Sequence, residues 1–309
     1  MRKPNRKTLP ALHANAGVRA WYARELRALL DAAQMEILLA LSLTLAKQPV
    51  KLAADESLSY VPPEPYFTVG PDGYVIESTR GMHPACWIVR ANDASPVASL
   101  DLTMKRWADK WTLRFDKISL DLAKRFAAKN FKSTQTAMEG ALGKAGFTVQ
   151  FKPTRASMNA YKAVVSENVA LIKNLPQQYV TNVQSAVWSS VNKGADMAEL
   201  SQKLRKSFDI ASERAARISV DQNHKAKAVI ENTRRQQLGI SKAIWQHSSA
   251  GVKPRPTHVA MDGQEFDLAR GMWDKDAEGK GKGAWIWPGQ LINCRCTSRA
   301  ILPGIDDGA

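Results

Sequence analysis

Cysteine is scarce in this chain, with three in 309 residues. An odd, small number excludes a secreted framework of paired disulfides and reads as a reducing compartment. Cys294 and Cys296 are too close in sequence for an easy mutual bridge, and Cys86 is far from both. Long apolar runs are also missing. The stretch from Ile37 to Ala46 falls short of the ~20 residues a membrane-spanning helix needs, and it reads as a buried helix face. The basic start Met1–Lys7 is not followed by an apolar core, because Arg19, Arg24, Glu25, Arg27 and Asp31 intervene, so no secretory signal is expected. No repeat with a period of about 20–50 residues is visible. Recognisable catalytic patterns are absent too: no nucleophile elbow and no His-Glu-x-x-His helix. Gly279-Lys280-Gly281-Lys282-Gly283 lacks the order of a phosphate-binding P-loop.

What is present is positive charge. Lys and Arg number 44 against 29 Asp and Glu, a formal net charge of +15, with 44% hydrophobic residues. The length suits about two domains. The charge suggests a polyanionic neighbour: nucleic acid, an anionic membrane or an acidic protein surface. No zinc-finger, basic-zipper or RNA-recognition pattern makes that contact sequence-specific.

Residues 1–15 are basic and aperiodic, and are expected to be a flexible arm. Trp21, Leu26, Leu30, Ala33, Ile37 and Leu41 recur at helical spacing until Pro49. Prolines and glycines then make 52–95 an irregular insertion, with short strands expected near Tyr74–Ile76 and Trp87–Val89. Its aromatics Tyr66, Phe67, Tyr74 and Trp87 are candidate docking anchors. A long helix starts at Ser95-Pro96, a shorter one at Ser133, and Gly143 and Gly146 close the latter. Phe147–Phe151 alternates like a strand. Further helices are expected from Thr154 to about Lys173, from Leu175-Pro176 to Gly194, from Asp196, and from Ser212 to Gly239. Ala243–Trp245 and Thr297–Leu302 complete a small sheet. The expected fold is mainly α, an elongated helical body with a small C-terminal α+β module. Its parts are an arm (1–15), a helical domain (16–145) with the insertion, and a domain at 146–309 whose terminal module covers 241–302.

Two constellations stand out. Cys294, Cys296, His258 and His247 carry the donor types of a tetrahedral zinc site. The one-residue spacing is a weak signal for it, because Cys-x-Cys replaces the usual Cys-x₂₋₄-Cys of zinc sites. The competing reading makes the cysteines small packing residues, with His258 bonded to a loop carbonyl. A hydrolytic reading would use His258 as base with Asp262 and Glu265, but a polar turn at Asp262-Gly263 explains those residues more simply. The second constellation is basic. Arg214, Arg217, Lys225, Lys227, Arg234 and Arg235 lie on one expected helix, and Lys280 and Lys282 on a flexible loop. These are the candidates for contact with a phosphate backbone.

The ordered set Trp245, Arg255-Pro256-x-His258, Asp262-Gly263, Pro288-Gly289 and Asn293-Cys294-Arg295-Cys296 resembles the C-terminal signature of the phage Mu F-like head-morphogenesis proteins. Arg214-Ala215-x-x-Ile218, Asp221-Gln222-x-x-Lys225-Ala226 and Glu167–Pro176 extend the likeness upstream. Where many members carry an acidic residue before the Arg-x-x-His element, this chain has Val252-Lys253. The resemblance implies a non-enzymatic minor capsid protein of a tailed phage, made late and acting in procapsid assembly. It implies portal, capsid or scaffold proteins and non-specific double-stranded DNA as partners, with no membrane. The location implied is the virion head interior, reached from the host cytoplasm. No cofactor is implied, and zinc rests on the residues alone. The other readings are a zinc-dependent nuclease or hydrolase carried in the virion, or a plain DNA-binding protein. On the structural reading Trp245, His258, Asp262, Gly263, Pro288, Asn293, Cys294 and Cys296 build one folded module.

Overall fold

The computed structural model describes residues 6–46, 67–69, 75–77, 96–192, 197–249 and 253–306. In chain order the elements are β1 (Arg6–Thr8), α1 (Ala16–Ala46), β2 (Phe67–Val69), β3 (Val75–Glu77), α2 (Pro96–Lys144), α3 (Arg155–Val191) and α4 (Met197–Gln237). The C-terminal part follows as β4 (Lys242–Gln246), α5 (Pro256–Ala260), β5 (Glu265–Asp267), β6 (Met272–Asp274), β7 (Ala284–Ile286) and β8 (Thr297–Asp306). The protein is therefore mainly α, with a small C-terminal module of short strands and one short helix. No helix among the described residues is long and apolar enough to cross a membrane.

The chain forms two compact units. One comprises Met1–Leu30, Thr112–Tyr179 and Asp209–Ala309, the other Asp31–Trp111 and Val180–Phe208. Neither is contiguous in sequence. In the second unit Ala33, Ile37, Leu41, Leu100, Met104, Trp107 and Trp111 are buried. Trp107 donates its indole N–H to the Ala33 carbonyl at 3.0 Å, and Trp111 donates to Glu36 at 3.2 Å. The apolar run in α1 is buried on one side only: Ile37 and Leu41 face inward, whereas Leu38, Leu39 and Leu43 are exposed.

In the first unit, a buried polar relay ties three helices together. The Tyr22 hydroxyl donates to Asn168 Oδ1 at 2.9 Å, Asn168 Nδ2 donates to Gln222 Oε1 at 3.0 Å, and Gln222 Nε2 donates to Glu167 at 2.9 Å. Burial raises the Tyr22 phenol well above its ordinary range, so it stays a neutral donor. Every member that is out of water finds a partner, which buried polar groups require.

The C-terminal module is built on an antiparallel sheet in the order β1-β8-β4-β5, with β6 and β7 as a separate hairpin. Ala243 pairs with Ala300 and Trp245 with Ser298, while Ala243 also pairs with Phe266. Its core gathers Leu9, Trp245, Phe266, Leu268, Ile286, Cys294, Cys296 and Leu302.

Several local expectations change. Residues 6–8, expected in a flexible arm, form β1 on the edge of β8. That edge offers unpaired backbone groups, and Leu9 fixes the strand by burying its side chain and donating its N–H to Ala300 at 2.9 Å. Residues 1–5 lie outside the described residues. So does most of 52–95, including Tyr66, Tyr74 and Trp87; within it, 67–69 and 75–77 pair as a hairpin. Residues 147–151 join no ladder. Their alternation is that of a strap, with Phe147, Val149 and Phe151 packed on the sheet core. Ser133 opens no new helix, Pro176 lies inside α3, and α4 runs unbroken through Ser212. In α3 the buried residues Ile172, Leu175, Tyr179 and Val183 keep one helical phase across the proline. Tertiary packing there outweighs the ~3 kcal/mol proline penalty. The expected helix ends do hold at Thr154 and Gly239. Thr154 and Ser157 exchange backbone-to-hydroxyl bonds at 2.9 and 3.2 Å. Gly239, at φ 72°, closes α4 with Ile240 N–H bonded to Arg235 O at 3.0 Å, the paired bonding of a left-handed C-cap.

Candidate functional site

Four short segments of the C-terminal module converge on His258. α5 begins with Pro256, whose missing N–H costs nothing at a helix start, and carries His258 inward at 2% exposure. The chain then turns at Asp262-Gly263. Asp262 Oδ1 accepts the His247 N–H at 2.8 Å, and Gly263, at φ 72°, donates its N–H to Trp245 O at 2.9 Å. That turn locks the end of β4 against α5. Trp245 lies edge-on to the His258 ring, with centroids 5.4 Å apart.

β6 supplies Asp274, which is buried. Its Oδ2 lies 3.2 Å from His258 Nε2, and its Oδ1 accepts the Asp276 N–H at 3.0 Å. An ionised carboxylate only accepts hydrogen bonds, so this pairing places the imidazole proton on Nε2. The lone pair of Nδ1 is left facing the cysteines.

The cysteines sit on a turn, not a strand, since β8 begins at Thr297. Asn293 takes the left-handed conformation, φ 61°, which asparagine tolerates better than most residues. Asp221 of α4 accepts the Asn293 N–H at 2.8 Å, and Arg255 donates to Ile292 O at 2.9 Å. The turn brings both sulfurs to one point. Cys294 Sγ is 3.5 Å and Cys296 Sγ 3.6 Å from the same His258 Nδ1. The three donor atoms lie within 4.8 Å of one another, on three buried side chains.

The sulfurs are also served by N–H groups. Gly289 N–H points at Cys294 Sγ at 3.3 Å. Hydrogen bonding from the Cys296 side chain, outweighing burial, lowers the Cys294 thiol to about 4. Cys296 is held far above the ordinary thiol range by its bond to Cys294 and by burial, though the Ser248 backbone and the Trp245 indole work toward its thiolate. Beside them a cleft of about 260 Å³ is lined by His247, Ser248, Lys253, Arg255, Asn293 and Arg295 together with the three donors.

Residues 181–299 match the family described as phage Mu protein F like protein. The matched stretch is under half of the chain. An uncharacterized protein of Haemophilus influenzae strain Rd is 30% identical over 140 residues, which cover 45% of this chain and 29% of that protein. The chain thus spans under a third of that relative's length. No solved structure matches.

Within the matched stretch the sequence-derived candidates separate clearly. His258, Cys294 and Cys296 come together; His247 lines the adjoining cleft and stands outside the donor cluster. Asp262 and Glu265 do not serve His258: the first caps the His247 backbone, and the second pairs with Lys242 at 2.7 Å. His258 is bonded not to a loop carbonyl but to Asp274. Asp274 carried no signal in the sequence, lying in a three-residue strand with no motif around it. Asp221 also takes an unforeseen role, since it holds the cysteine turn as well as Lys225.

The basic candidates divide by burial. Lys227, Arg234 and Arg235 are buried, so α4 does not present them as part of a cationic face. Lys227 and Arg235 flank Glu231 in a buried ion triad. Arg234 lies just beneath the surface, donating to Lys152 O at 2.9 Å and Gln135 at 3.0 Å. Lys225 pairs with Glu167 at 3.0 Å. Arg217 is exposed and bonded to Glu213, whereas Arg214 is half-buried and bonded to Gln178. Lys280 and Lys282 are exposed as well, but their loop is a built turn and not a free one. Gly281 N–H bonds Asp276 Oδ1 at 2.8 Å, and Glu278 N–H bonds Lys282 O at 3.0 Å.

Asp274, His258 and Cys294 have the order of an orienter, a base and a nucleophile. Two observations weigh against that use. A second thiol stands as close to the base as the first, and the Gly289 N–H, which would have to serve an oxyanion, is aimed at the sulfur itself.

Proposed function

We propose that this protein acts in the morphogenesis of a phage head as a structural minor head protein, without catalytic turnover. The observation that carries the reading is the Mu F-like match over 181–299. It coincides with a folded module whose signature residues make backbone and packing contacts: Trp245 is fully buried, Asp262 and Gly263 close a turn, and Pro288 is buried. In this reading the protein joins the assembling procapsid beside the portal and lies near packaged DNA. The net charge of +15 supports a polyanionic neighbour. With three candidate cations of α4 buried, DNA contact falls to the exposed Arg217, Lys280 and Lys282 and the half-buried Arg214.

Affinity purification of the tagged chain from assembling particles, read by mass spectrometry, tests the reading. Portal and capsid proteins should be recovered in fixed ratio. Particles that assemble and package normally without the chain, and never contain it, would refute it. For the DNA contact, weak binding to duplex of any sequence should fall steeply between roughly 50 and 200 mM salt, as counterion release requires. Binding that ignores salt would count against the electrostatic account.

A further inference from the structure

We propose that His258, Cys294 and Cys296 hold a zinc ion, oriented by Asp274, with the fourth coordination position open to the basic cleft. Zinc takes thiolate sulfur at ~2.3 Å and imidazole nitrogen at ~2.0–2.1 Å in a tetrahedral array, which gives a sulfur-to-nitrogen edge of about 3.6 Å. The two observed edges are 3.5 and 3.6 Å. Two of the three edges among the donors are thus already those that such an ion requires.

Hydrogen bonding among the free groups does not explain this geometry. With its Nε2 committed to Asp274, His258 has a single lone pair on Nδ1, and two thiols share it. Only one S–H can donate to one lone pair. A metal resolves the conflict, because each donor then spends its lone pair on the same ion. The surroundings fit thiolates better than thiols. Gly289 directs an N–H at Cys294. The Trp245 indole N–H is buried without a hydrogen-bonded partner. Neutral thiols are weak acceptors, so these donors are better used once the sulfurs are ionised. The contact from His258 to a buried carboxylate is the outer arrangement that fixes the tautomer and ring orientation of a metal-bound histidine. Soft sulfur with imidazole selects zinc over magnesium or calcium. Three protein ligands and a vacancy are the pattern of a site that exchanges its fourth ligand. The vacancy faces Lys253, Arg255 and Arg295, so the ligand expected there is solvent or an oxygen anion.

The test uses the full chain. Purified protein should contain one zinc per chain by elemental analysis. After chelation, zinc but not magnesium should restore the melting temperature. Cobalt in place of zinc should give thiolate charge-transfer absorption and the intense visible bands of a tetrahedral ion. Cys294→Ser and Cys296→Ser should each weaken the charge-transfer band. Asp274→Asn should keep the spectrum while weakening affinity about 10- to 100-fold. His247→Ala should change neither, and inorganic phosphate should shift the visible bands. A wild-type chain that folds, binds no stoichiometric metal and melts alike with and without zinc would overturn the site. That outcome needs no variant to fold. Loss of metal in His247→Ala, or visible bands indifferent to phosphate, would overturn the open fourth position.

Discussion

Glu231→Gln tests whether the charges of α4 are structural. Glu231 stands between Lys227 and Arg235 at four-residue steps, and the three side chains are 4%, 6% and 3% exposed. Arg235 continues to Ser298 of β8, with bonds of 2.7 and 3.0 Å to its hydroxyl and carbonyl. The triad therefore fastens α4 to the strand that follows the cysteine turn. Gln keeps the volume and removes the one negative charge, leaving two cations out of water around a neutral amide. Breaking a buried pair in this way costs about 3–5 kcal/mol. The exposed pair Arg217–Glu213, 60% and 70% exposed, is the internal control. Glu213→Gln should cost under about 1 kcal/mol.

The pH dependence sharpens the comparison. Burial lowers the Lys227 pKa despite Glu231, so without that carboxylate Lys227 loses its proton in the folded state more readily still. The unfolded chain then binds more protons than the folded one, and stability rises with pH until the ordinary lysine range near ~10.4. Urea unfolding at pH 7 and pH 9.5 reads both effects. The Glu231→Gln defect should be large at pH 7 and smaller at pH 9.5. A defect no larger than that of Glu213→Gln, or one that grows with pH, would refute the assignment. It would also reopen Lys227 and Arg235 as a surface for nucleic acid.

Three other perturbations probe the module. Gly271, at φ 84°, has the Ile286 carbonyl 2.5 Å from where a Cβ would stand, so Gly271→Ala should cost about 1–3 kcal/mol by thermal melting; an unchanged melt would disprove the close approach. His224 is driven down to about 4, first by burial and then by Lys227 and Arg295. A depressed base takes up a proton on unfolding, so stability should fall as pH drops from ~6.5 to about 4. After discounting for its partial exposure, about 1–2 kcal/mol is expected, and His224→Asn should flatten that part of the profile. In metal-free protein His258→Ala and Cys294→Ser should each lower stability by about 1–3 kcal/mol, and full stability in His258→Ala would contradict its structural role.

Much of this architecture was legible because its signals are local. Thr154 with Ser157, Gly239 past the end of α4, and the apolar stripes of α1 and α2 each state their meaning within a few residues. The failures share one cause. Ser133, Pro176 and Ser212 are local stop or start signals, and they are overridden where the buried stripe keeps its phase. The same limit governed charge. Lys227, Glu231 and Arg235 show their four-residue spacing in the sequence, but only the fold says that this side of α4 lies under β8. The strands β5, β6 and β7 are three residues each, too short for alternation to declare itself, so Asp274 could not be found.

The signature residues make physical sense together once His258 is taken as the centre. Trp245 packs edge-on to its ring. Asp262 and Gly263 fix the turn that returns the chain from α5 to β5. Arg255 reaches across to the Ile292 carbonyl, drawing the cysteine turn toward α5. Gly289 sends its N–H to Cys294, and a side chain there would press on Ala228 and the Cys296 carbonyl at 3.4 Å. Asn293 accepts the left-handed bend that lets both cysteines face one point, and Asp221 of α4 holds that bend. Each residue either orients a donor or holds the turn that carries one. A module that needed only a packed core could place Val or Ala at 294 and 296, and Phe at 258, at less cost than a buried imidazole and carboxylate. The polar centre is thus the part of the module that packing alone does not explain, and the proposed zinc ion gives its three donors a common partner.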